Sequence, residues 1–373
     1  MEYKNFLESY GVSKAEADKR CEEIFQTLFY GTEDERIYHP AGDDMGYMED
    51  TGNIDARTEG MSYGMMMCVQ MDKKEEFDRI WKWSKTYMYL DKGPNAGFFA
   101  WSCKPNGEKN AWGAAPDGEE YFAMDLILAG NRWGNGEGIY NYHAEAAKLL
   151  HDMIRKGENG EPGRPMFDPD NHYVRFIVEV DFSDPSYHLP HFYEMYAKYA
   201  YDEDKEFYIE AAKASREYWK LACHPETGLS AEYADYDGKP HKGFNEKWGR
   251  HDWYYSDAYR TMINIALDSV WCGVSEWAKE DAAKFLKFFN EKKAEGTWDN
   301  IFEIDGTMID QKVLHPVGVI ASNASAAVLQ PELAKEWVEL FLKNGLRDGN
   351  RRYYDNCLYF FVYLMLSGNY RMY

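Results

Sequence analysis

Five side chains suited to acid–base chemistry or to polar ligand binding stand at or near the starts of apolar stretches. They are Glu59 in "NIDARTEGMSYGMMM", Asp117 in "AAPDGEEYF", Tyr187 in "DPSYHLPHFYE", Asp257 in "HDWYYSDAYR" and His315 in "VLHPVG". Two or three carboxyl groups in one cleft suit glycoside hydrolysis, in which one protonates the leaving oxygen and another activates water or attacks the sugar. That chemistry requires a fold that brings these helix starts together.

Glu59 is the candidate whose role most needs an explanation, because the helix that begins beside it is predicted to be buried. As a helix, residues 58–71 are apolar or small on nearly every side, which is typical of a helix enclosed by protein. A buried glutamate usually has a partner or a task. A general acid needs a raised pKa, whereas a helix N-terminus favours the ionised form, so burial and nearby aspartates would have to outweigh the helix dipole.

Helical periodicity dominates the chain and predicts twelve helices. Their expected ranges are 13–30, 58–71, 74–90, 118–130, 139–156, 187–201, 205–223, 253–271, 275–293, 317–329, 331–345 and 355–368. The third, fifth, seventh, ninth and eleventh are rich in Lys and Glu and are interpreted as outer. The second, fourth, eighth, tenth and twelfth are nearly all apolar or small and are interpreted as inner.

This alternation predicts an all-α fold, an (α/α)6 barrel of six helical hairpins, with residues 1–373 forming a single catalytic domain. The inner helices would all begin at one mouth, where the five side chains would converge. The alternative is an open helical solenoid, which normally shows a tighter sequence repeat than this chain has.

Each candidate also has a purely structural interpretation. Asp117 suits a helix N-cap, and Asp257 suits an ion pair with Arg260 three residues later. Glu59 suits an ion pair with Arg57. Tyr187 suits a core position, and His315 suits loop packing ahead of a helix that begins at Pro316.

The amino-acid composition limits the kinds of binding partner that the protein is expected to have. The net charge of −22 disfavours nucleic acid and anionic membrane surfaces, and no apolar run approaches the ~18 residues of a membrane span. Aromatic residues make up 17%, which suits either a large aromatic core or a cleft for sugar rings.

The N-terminus does not resemble a secretory signal, so a cytoplasmic protein is expected. The cysteines are scattered without CxxC pairs, which indicates neither a metal site nor a disulfide framework. Free thiols in the reducing cytoplasm are therefore expected.

Several segments strongly resemble glycoside hydrolase family 8, more narrowly its reducing-end xylose-releasing exo-oligoxylanases. They are "DARTEGMSYGMMM", "APDGEEYFAMDLILAGNRWG", "DPSYHLPHFYE", "YYSDAYRTMINIALD" and "LHPVG". The resemblance implies an (α/α)6 barrel, an inverting reaction on xylo-oligosaccharides, and no metal or organic cofactor. It implies that Glu59 is the general acid and Asp257 the general base, that Asp117 binds and distorts the reacting sugar, and that Tyr187 helps to hold the nucleophilic water.

In the exo-acting members, a Leu-His-Pro kink closes the cleft one sugar beyond the cleavage point. Here the matching residues are Leu314, His315 and Pro316, so a single xylose would leave from the reducing end. Arg57 and Trp112 complete the predicted substrate-binding set.

Two alternative functions remain open at this point. An endo-acting β-1,4-glycanase of the same family, a xylanase or cellulase, would have an open cleft and a different product profile on long xylan. A non-catalytic sugar-binding or epimerase-like protein would use the same barrel. An epimerase, however, is expected to present several histidines, whereas carboxylates predominate here.

Overall fold

A computed structural model describes residues 3–245 and 249–373, apart from the side chain of Asn159. Twelve α-helices lie in this part of the chain. They are α1 (Lys14–Tyr30), α2 (Thr58–Met71), α3 (Lys74–Trp83), α4 (Pro116–Trp133), α5 (Tyr142–Arg155), α6 (Pro190–Tyr199), α7 (Lys205–Ala222), α8 (Tyr259–Cys272), α9 (Glu276–Glu295), α10 (Pro316–Ser325), α11 (Lys335–Asn344) and α12 (Arg352–Leu366).

The even-numbered helices form a closed inner ring. Each contacts the next even-numbered helix, and α12 contacts α2 to close the circle. Every residue of α12 is buried, as are nearly all residues of α2 and α8, whereas the odd-numbered helices bury one face only. The fold is therefore the predicted (α/α)6 barrel, and the closure of the ring excludes an open solenoid.

Glycine brings the starts of two inner helices together. A Cβ atom at Gly118 of α4 would lie only 2.3 Å from the Cβ of Thr58, at the start of α2. Real Cβ atoms do not approach that closely, so only glycine permits this packing. As a result, Glu59 and Asp117 lie in the first turns of neighbouring helices.

Among the described residues, seven short β-strands lie in the segments that connect the helices. β1 (Tyr38–Ala41) pairs with β2 (Met45–Met48), and β3 (Ala56–Arg57) pairs with β4 (Ser102–Cys103). β5 (Trp253–Tyr254), β6 (Asn300–Glu303) and β7 (Met308–Lys312) form an antiparallel sheet. β3 leads directly into α2, and β5 leads towards α8, so both predicted catalytic carboxylates follow a strand.

Several predicted helix boundaries were wrong by three or more residues, and three of them have a clear local cause. Residues 253–254 belong to β5 because they pair with β6, and a 3₁₀ turn (Ser256–Ala258) separates them from α8. Residue 187 ends another 3₁₀ turn (Pro185–Tyr187), and α6 begins at Pro190, since proline suits the first helical position. The third helix ends at Trp83 because the backbone then widens into a π-helical turn. Asp257 and Tyr187 thus lie in short turns ahead of their helices.

None of the helices among the described residues is long and apolar enough to cross a membrane.

Candidate active site

A cavity of ≈ 110 Å³ opens where the inner helices begin. Glu59 from α2, Asp257 from the turn before α8, and His315 from the loop before α10 all line it. A second, more enclosed cavity of ≈ 20 Å³, about the size of one water molecule, is lined by Asp117, Tyr187 and side chains of the inner helices. The barrel therefore gathers all five candidates at one end, divided between two cavities.

One guanidinium group joins four carboxyl groups at this end of the barrel. Nη1 of Arg260 lies 2.8 Å from Glu59 Oε2 and 3.7 Å from Asp117 Oδ2. Nη2 lies 3.2 Å from Asp257 Oδ1 and 3.6 Å from Asp184 Oδ2. Buried charges need such partners, and Arg260 is only 5% exposed. This arginine is thus the shared counter-ion of the predicted catalytic pair.

Neighbouring side chains fix the orientation of Arg260. Its Nε donates to Ser186 Oγ over 3.1 Å, and its Nη1 lies 3.1 Å from the Tyr63 hydroxyl. The guanidinium carbon lies 5.3 Å from the centre of the Tyr187 ring, within the range of a cation–π contact. Tyr187 itself is 5% exposed, so it is both a core residue and a neighbour of the carboxyl cluster.

Glu59 has the electrostatic character that a general acid needs. Burial raises its pKa, and the charge of Asp257 acts in the same direction. Arg260 and a 2.7 Å hydrogen bond donated by the Tyr353 hydroxyl oppose this rise. The contact with Tyr353 depends on Gly60, because a Cβ there would lie 2.6 Å from the phenol oxygen. The net direction is upward, which favours the protonated form that general-acid catalysis requires.

Asp117 shares this environment. Burial raises its pKa to about 7, with the charges of Glu59 and Asp257 adding to the effect and Arg260 opposing it. The N-cap of α4 is Ala115 rather than Asp117, so the N-cap interpretation of this aspartate was wrong.

Asp257 lies nearer to solvent than the other carboxyl groups, with 28% of its side chain exposed against 0% for Asp184. The i,i+3 contact with Arg260 exists, but Arg260 binds Glu59 as well. Because both carboxyl oxygens lie against nitrogens of one planar guanidinium, at 2.8 and 3.2 Å, they are within about 8 Å of each other. This bound is compatible with the roughly 6.5–9.5 Å of an inverting pair, and the separation itself stays a prediction.

Leu314, His315 and Pro316, which are predicted to close the cleft, form a turn that a hydrogen bond from Arg347 stabilises. His315 is the N-cap of α10 and Pro316 its first residue, so the proline does begin the helix, as the structural interpretation proposed. The Leu314 carbonyl accepts a 2.7 Å hydrogen bond from Arg347, which also pairs with Asp355. The side chain of Leu314 is exposed, whereas His315 is buried.

The two remaining candidates have different surroundings. Nε of Arg57 binds Asp55 at 3.0 Å and Asp50 at 3.2 Å, so the proposed ion pair between Arg57 and Glu59 is replaced by the one between Glu59 and Arg260. Arg57 still lines the outer cavity. Trp112 is 66% exposed and lines neither cavity.

Sequence reasoning missed four residues of this site: Asp184, Glu232, Tyr353 and Tyr354. Tyr353 donates to Glu59, and Glu232 accepts a hydrogen bond from the backbone of Asp257. Only Asp184 left a local signal, as an acidic residue directly before the proline of a turn. In the described part of the chain, His, Cys, Asp and Glu side chains form no group of three that could hold a metal ion.

The fold and the paired carboxyl groups are those of a barrel glycosidase, and comparison with known sequences identifies the family. Residues 20–368 match glycosyl hydrolases family 8, and the chain belongs to that family.

Relatives within the family are similar over nearly their whole length. The chain is 52% identical to a reducing end xylose-releasing exo-oligoxylanase of Halalkalibacterium halodurans, over 100% of this chain and 94% of the relative. It is 46% identical to one of Bifidobacterium adolescentis, over 97% of this chain and 94% of the relative. A solved structure of Rex8A from Paenibacillus barcinonensis, complexed with xylose, superposes with a TM-score of 0.96 at 50% identity, covering 100% of this chain and 98% of that one.

Proposed function

We propose that this protein is an inverting glycoside hydrolase that releases xylose from the reducing end of xylo-oligosaccharides. The observation that carries the proposal is the Arg260 cluster at the barrel mouth, where Glu59 and Asp257 share one counter-ion. Relatives named for this activity are similar over the whole barrel, which supports the choice of substrate.

The two carboxyl groups divide the chemistry. Glu59 donates its proton to the glycosidic oxygen as the bond from that oxygen to the anomeric carbon breaks. Water attacks the anomeric carbon from the opposite face and passes a proton to Asp257, so the configuration inverts. Each turnover leaves Glu59 ionised and Asp257 protonated. The partial exposure of Asp257 gives solvent a route for restoring both.

Arg260 and its neighbours prepare the reacting position. The guanidinium hydrogen-bonds Glu59 and lies 3.2 Å from Asp257 before substrate arrives, which orients Glu59 and lowers the entropic cost of reaching the transition state. Asp117 binds hydroxyl groups of the reacting sugar and favours its distortion. Tyr187 lies close enough to the cluster to help hold the attacking water.

Exo-action rests on the turn Leu314–Pro316. Its carbonyl is tied to Arg347, and Pro316 fixes its own backbone, so the turn resists displacement by a longer chain. His315 lines the outer cavity beside Glu59 and Asp257, where a ring nitrogen can recognise the anomeric hydroxyl of the departing xylose. A continuing chain would clash with this turn or leave a polar group unpaired.

Hydrolysis of xylotriose followed by NMR of the anomeric protons tests substrate, bond and stereochemistry together. We expect xylose and xylobiose in equal amounts, with the new xylobiose end appearing first as the α-anomer. Appearance of the β-anomer first would refute inversion. Absence of products would favour a binding protein, and new sugar isomers would favour an epimerase.

A comparison with xylotriitol tests the choice of end. Reduction to the alditol removes the cyclic reducing end, so xylotriitol should be cleaved far more slowly than xylotriose. Equal rates, or cleavage of polymeric xylan at internal bonds, would favour the endo-acting alternative.

We also propose that the protein works in the reducing cytoplasm. All six cysteines are free thiols, and five of them are buried. Cell fractionation of the source organism would test this location.

A further inference from the structure

The backbone has an unusual conformation at Ser256, the residue directly before Asp257. Ser256 has a φ of +27°, a region that non-glycine residues rarely occupy. Such strain persists only where surrounding contacts over-determine the conformation. Asp257 follows directly, so the strained residue sets the direction of the proposed general base.

Two side chains bind this peptide from its two polar ends. The Ser256 carbonyl accepts a 2.9 Å hydrogen bond from the Tyr354 hydroxyl. The Asp257 N–H donates to Glu232 Oε1 over 3.2 Å. A peptide unit is planar and rigid, so holding both its oxygen and its N–H fixes the orientation of the whole unit.

Glu232 is itself held firmly. Its other oxygen, Oε2, lies 3.0 Å from His251 Nδ1, and the His251 ring stacks on Tyr233 with ring centres 4.3 Å apart. The Glu232 backbone N–H donates to the Trp253 carbonyl, which ties its segment to the strand leading towards Asp257. Burial raises the pKa of Glu232, and the hydrogen bond with His251 acts in the opposite direction.

Tyr354 is equally constrained. It lies in the first turn of α12 and is 6% exposed. Its ring meets the His315 ring edge-on, with centres 5.0 Å apart. Its hydroxyl therefore comes from an inner helix, on the other side of the peptide from Glu232.

We propose that Glu232 and Tyr354 are positioning residues that clamp the Ser256–Asp257 peptide and thereby aim the Asp257 carboxylate. The proposal rests on the proposed function, in which Asp257 is the general base. Neither residue takes a proton from water in this scheme, since both act through the backbone of Asp257. A displacement of about 1 Å at a catalytic group can cost about 100-fold in rate, so the clamp has a measurable consequence.

The test compares Glu232→Ala and Tyr354→Phe, each of which removes one half of the clamp, with Glu232→Gln, which keeps an oxygen acceptor. Rates are measured on xylotriose and on β-xylobiosyl fluoride, whose leaving group needs no proton. Tyr363→Phe is the matched control, because Tyr363 is a buried tyrosine of the same helix that packs against Phe341, away from the site.

We expect Glu232→Ala and Tyr354→Phe to lower kcat by about 10- to 100-fold on both substrates, with little change in KM, because water needs the base with either leaving group. Glu232→Gln should keep most of the activity. The double variant should lose little more than the more impaired single variant, since either loss loosens the same peptide. Tyr363→Phe should match the wild type.

Unchanged kcat in both clamp variants would overturn the proposal, and so would a loss confined to xylotriose or a Glu232→Gln variant as impaired as Glu232→Ala. Should Glu232→Ala not fold, Tyr354→Phe and Glu232→Gln decide. An inactive wild-type protein would refute the proposed function instead. The clamp is then judged from a crystal structure of Tyr354→Phe, in which Ser256 should leave the positive φ region; an unchanged φ would overturn the clamp.

Discussion

The hydrogen bond from Tyr353 to Glu59 offers a direct test of the general-acid assignment. The Tyr353→Phe change removes the hydroxyl that donates to Glu59 Oε1 at 2.7 Å and leaves the ring in place. That hydrogen bond stabilises the ionised carboxylate and so lowers its pKa, against the raising effect of burial. Without the hydroxyl, the pKa of Glu59 should rise further.

The expected size follows from the strength of the lost contact. A hydrogen bond to a charged group contributes about 1.5–3 kcal/mol, and one pKa unit corresponds to about 1.4 kcal/mol. The pKa of Glu59 should therefore rise by about one to two units. The protonated acid is the active form, so the alkaline limb of kcat/KM against pH on xylotriose should move up by the same amount.

The assay contains its own controls. On β-xylobiosyl fluoride no proton is needed by the leaving group, so the same variant should show no such movement of the alkaline limb. The Tyr363→Phe variant should follow the wild-type profile on both substrates. An alkaline limb that stays in place or moves down on xylotriose would refute the reasoning, as would equal movement on the two substrates.

Three further predictions concern the same end of the barrel. Glu59→Ala should lower the initial rate on xylotriose by about 10²–10⁴-fold but the rate on β-xylobiosyl fluoride far less. Asp257→Ala should lower the rates on both substrates. Equal losses on the two substrates for Glu59→Ala would argue against its role as the acid. Asp117→Asn should be inactive but more stable than the wild type. Burial raises the pKa of Asp117 from 3.8 to about 7. The wild-type protein therefore loses stability as the pH rises from 3.8 to about 7, and the loss is complete above that range. The gain in unfolding free energy, at most about 4 kcal/mol, should be absent at low pH, and urea unfolding at several pH values checks this. Gly118→Ala should lower the urea midpoint by the equivalent of about 1–3 kcal/mol, since its Cβ would meet Thr58 at 2.3 Å, and an unchanged midpoint would show that α2 and α4 can separate freely.

The helices were predictable because their signal is local. Twelve helices were expected and twelve are present in the described residues, with the predicted alternation of inner and outer positions. Two of the errors lie directly beside the site. Residues 253–254 form a strand because β6, almost 50 residues later, pairs with them. Such distant pairing overrides local helical periodicity and leaves no trace within the segment.

The site was predictable only in part, for the same reason. The positions of Glu59, Asp117 and His315 at helix starts could be read from the sequence around each one. Arg260 was recognised only as a neighbour of Asp257, whereas its shortest contact is with Glu59, which lies 201 residues away in the chain. The Tyr353 hydroxyl donates a hydrogen bond to Glu59, although the two residues are 294 positions apart in the sequence. Contacts of this range depend on closure of the barrel, which no local pattern specifies.

The shortage of positive charge in this cluster favours the proposed chemistry. Four carboxyl groups lie within 4 Å of one guanidinium, and burial raises the pKa values of Glu59, Asp117 and Asp184. One cation cannot compensate four anions of which three are largely buried, so the cluster must retain protons near neutral pH. In the proposed mechanism, a second arginine or lysine in direct contact with Glu59 would favour its ionised form and remove the proton that the leaving oxygen needs. Without Arg260, the ionised carboxylate that remains after proton donation would be left buried without a counter-ion. A single contacting cation thus suits the role that we propose for Glu59, because Glu59 can hold its proton before the reaction and its charge is stabilised afterwards.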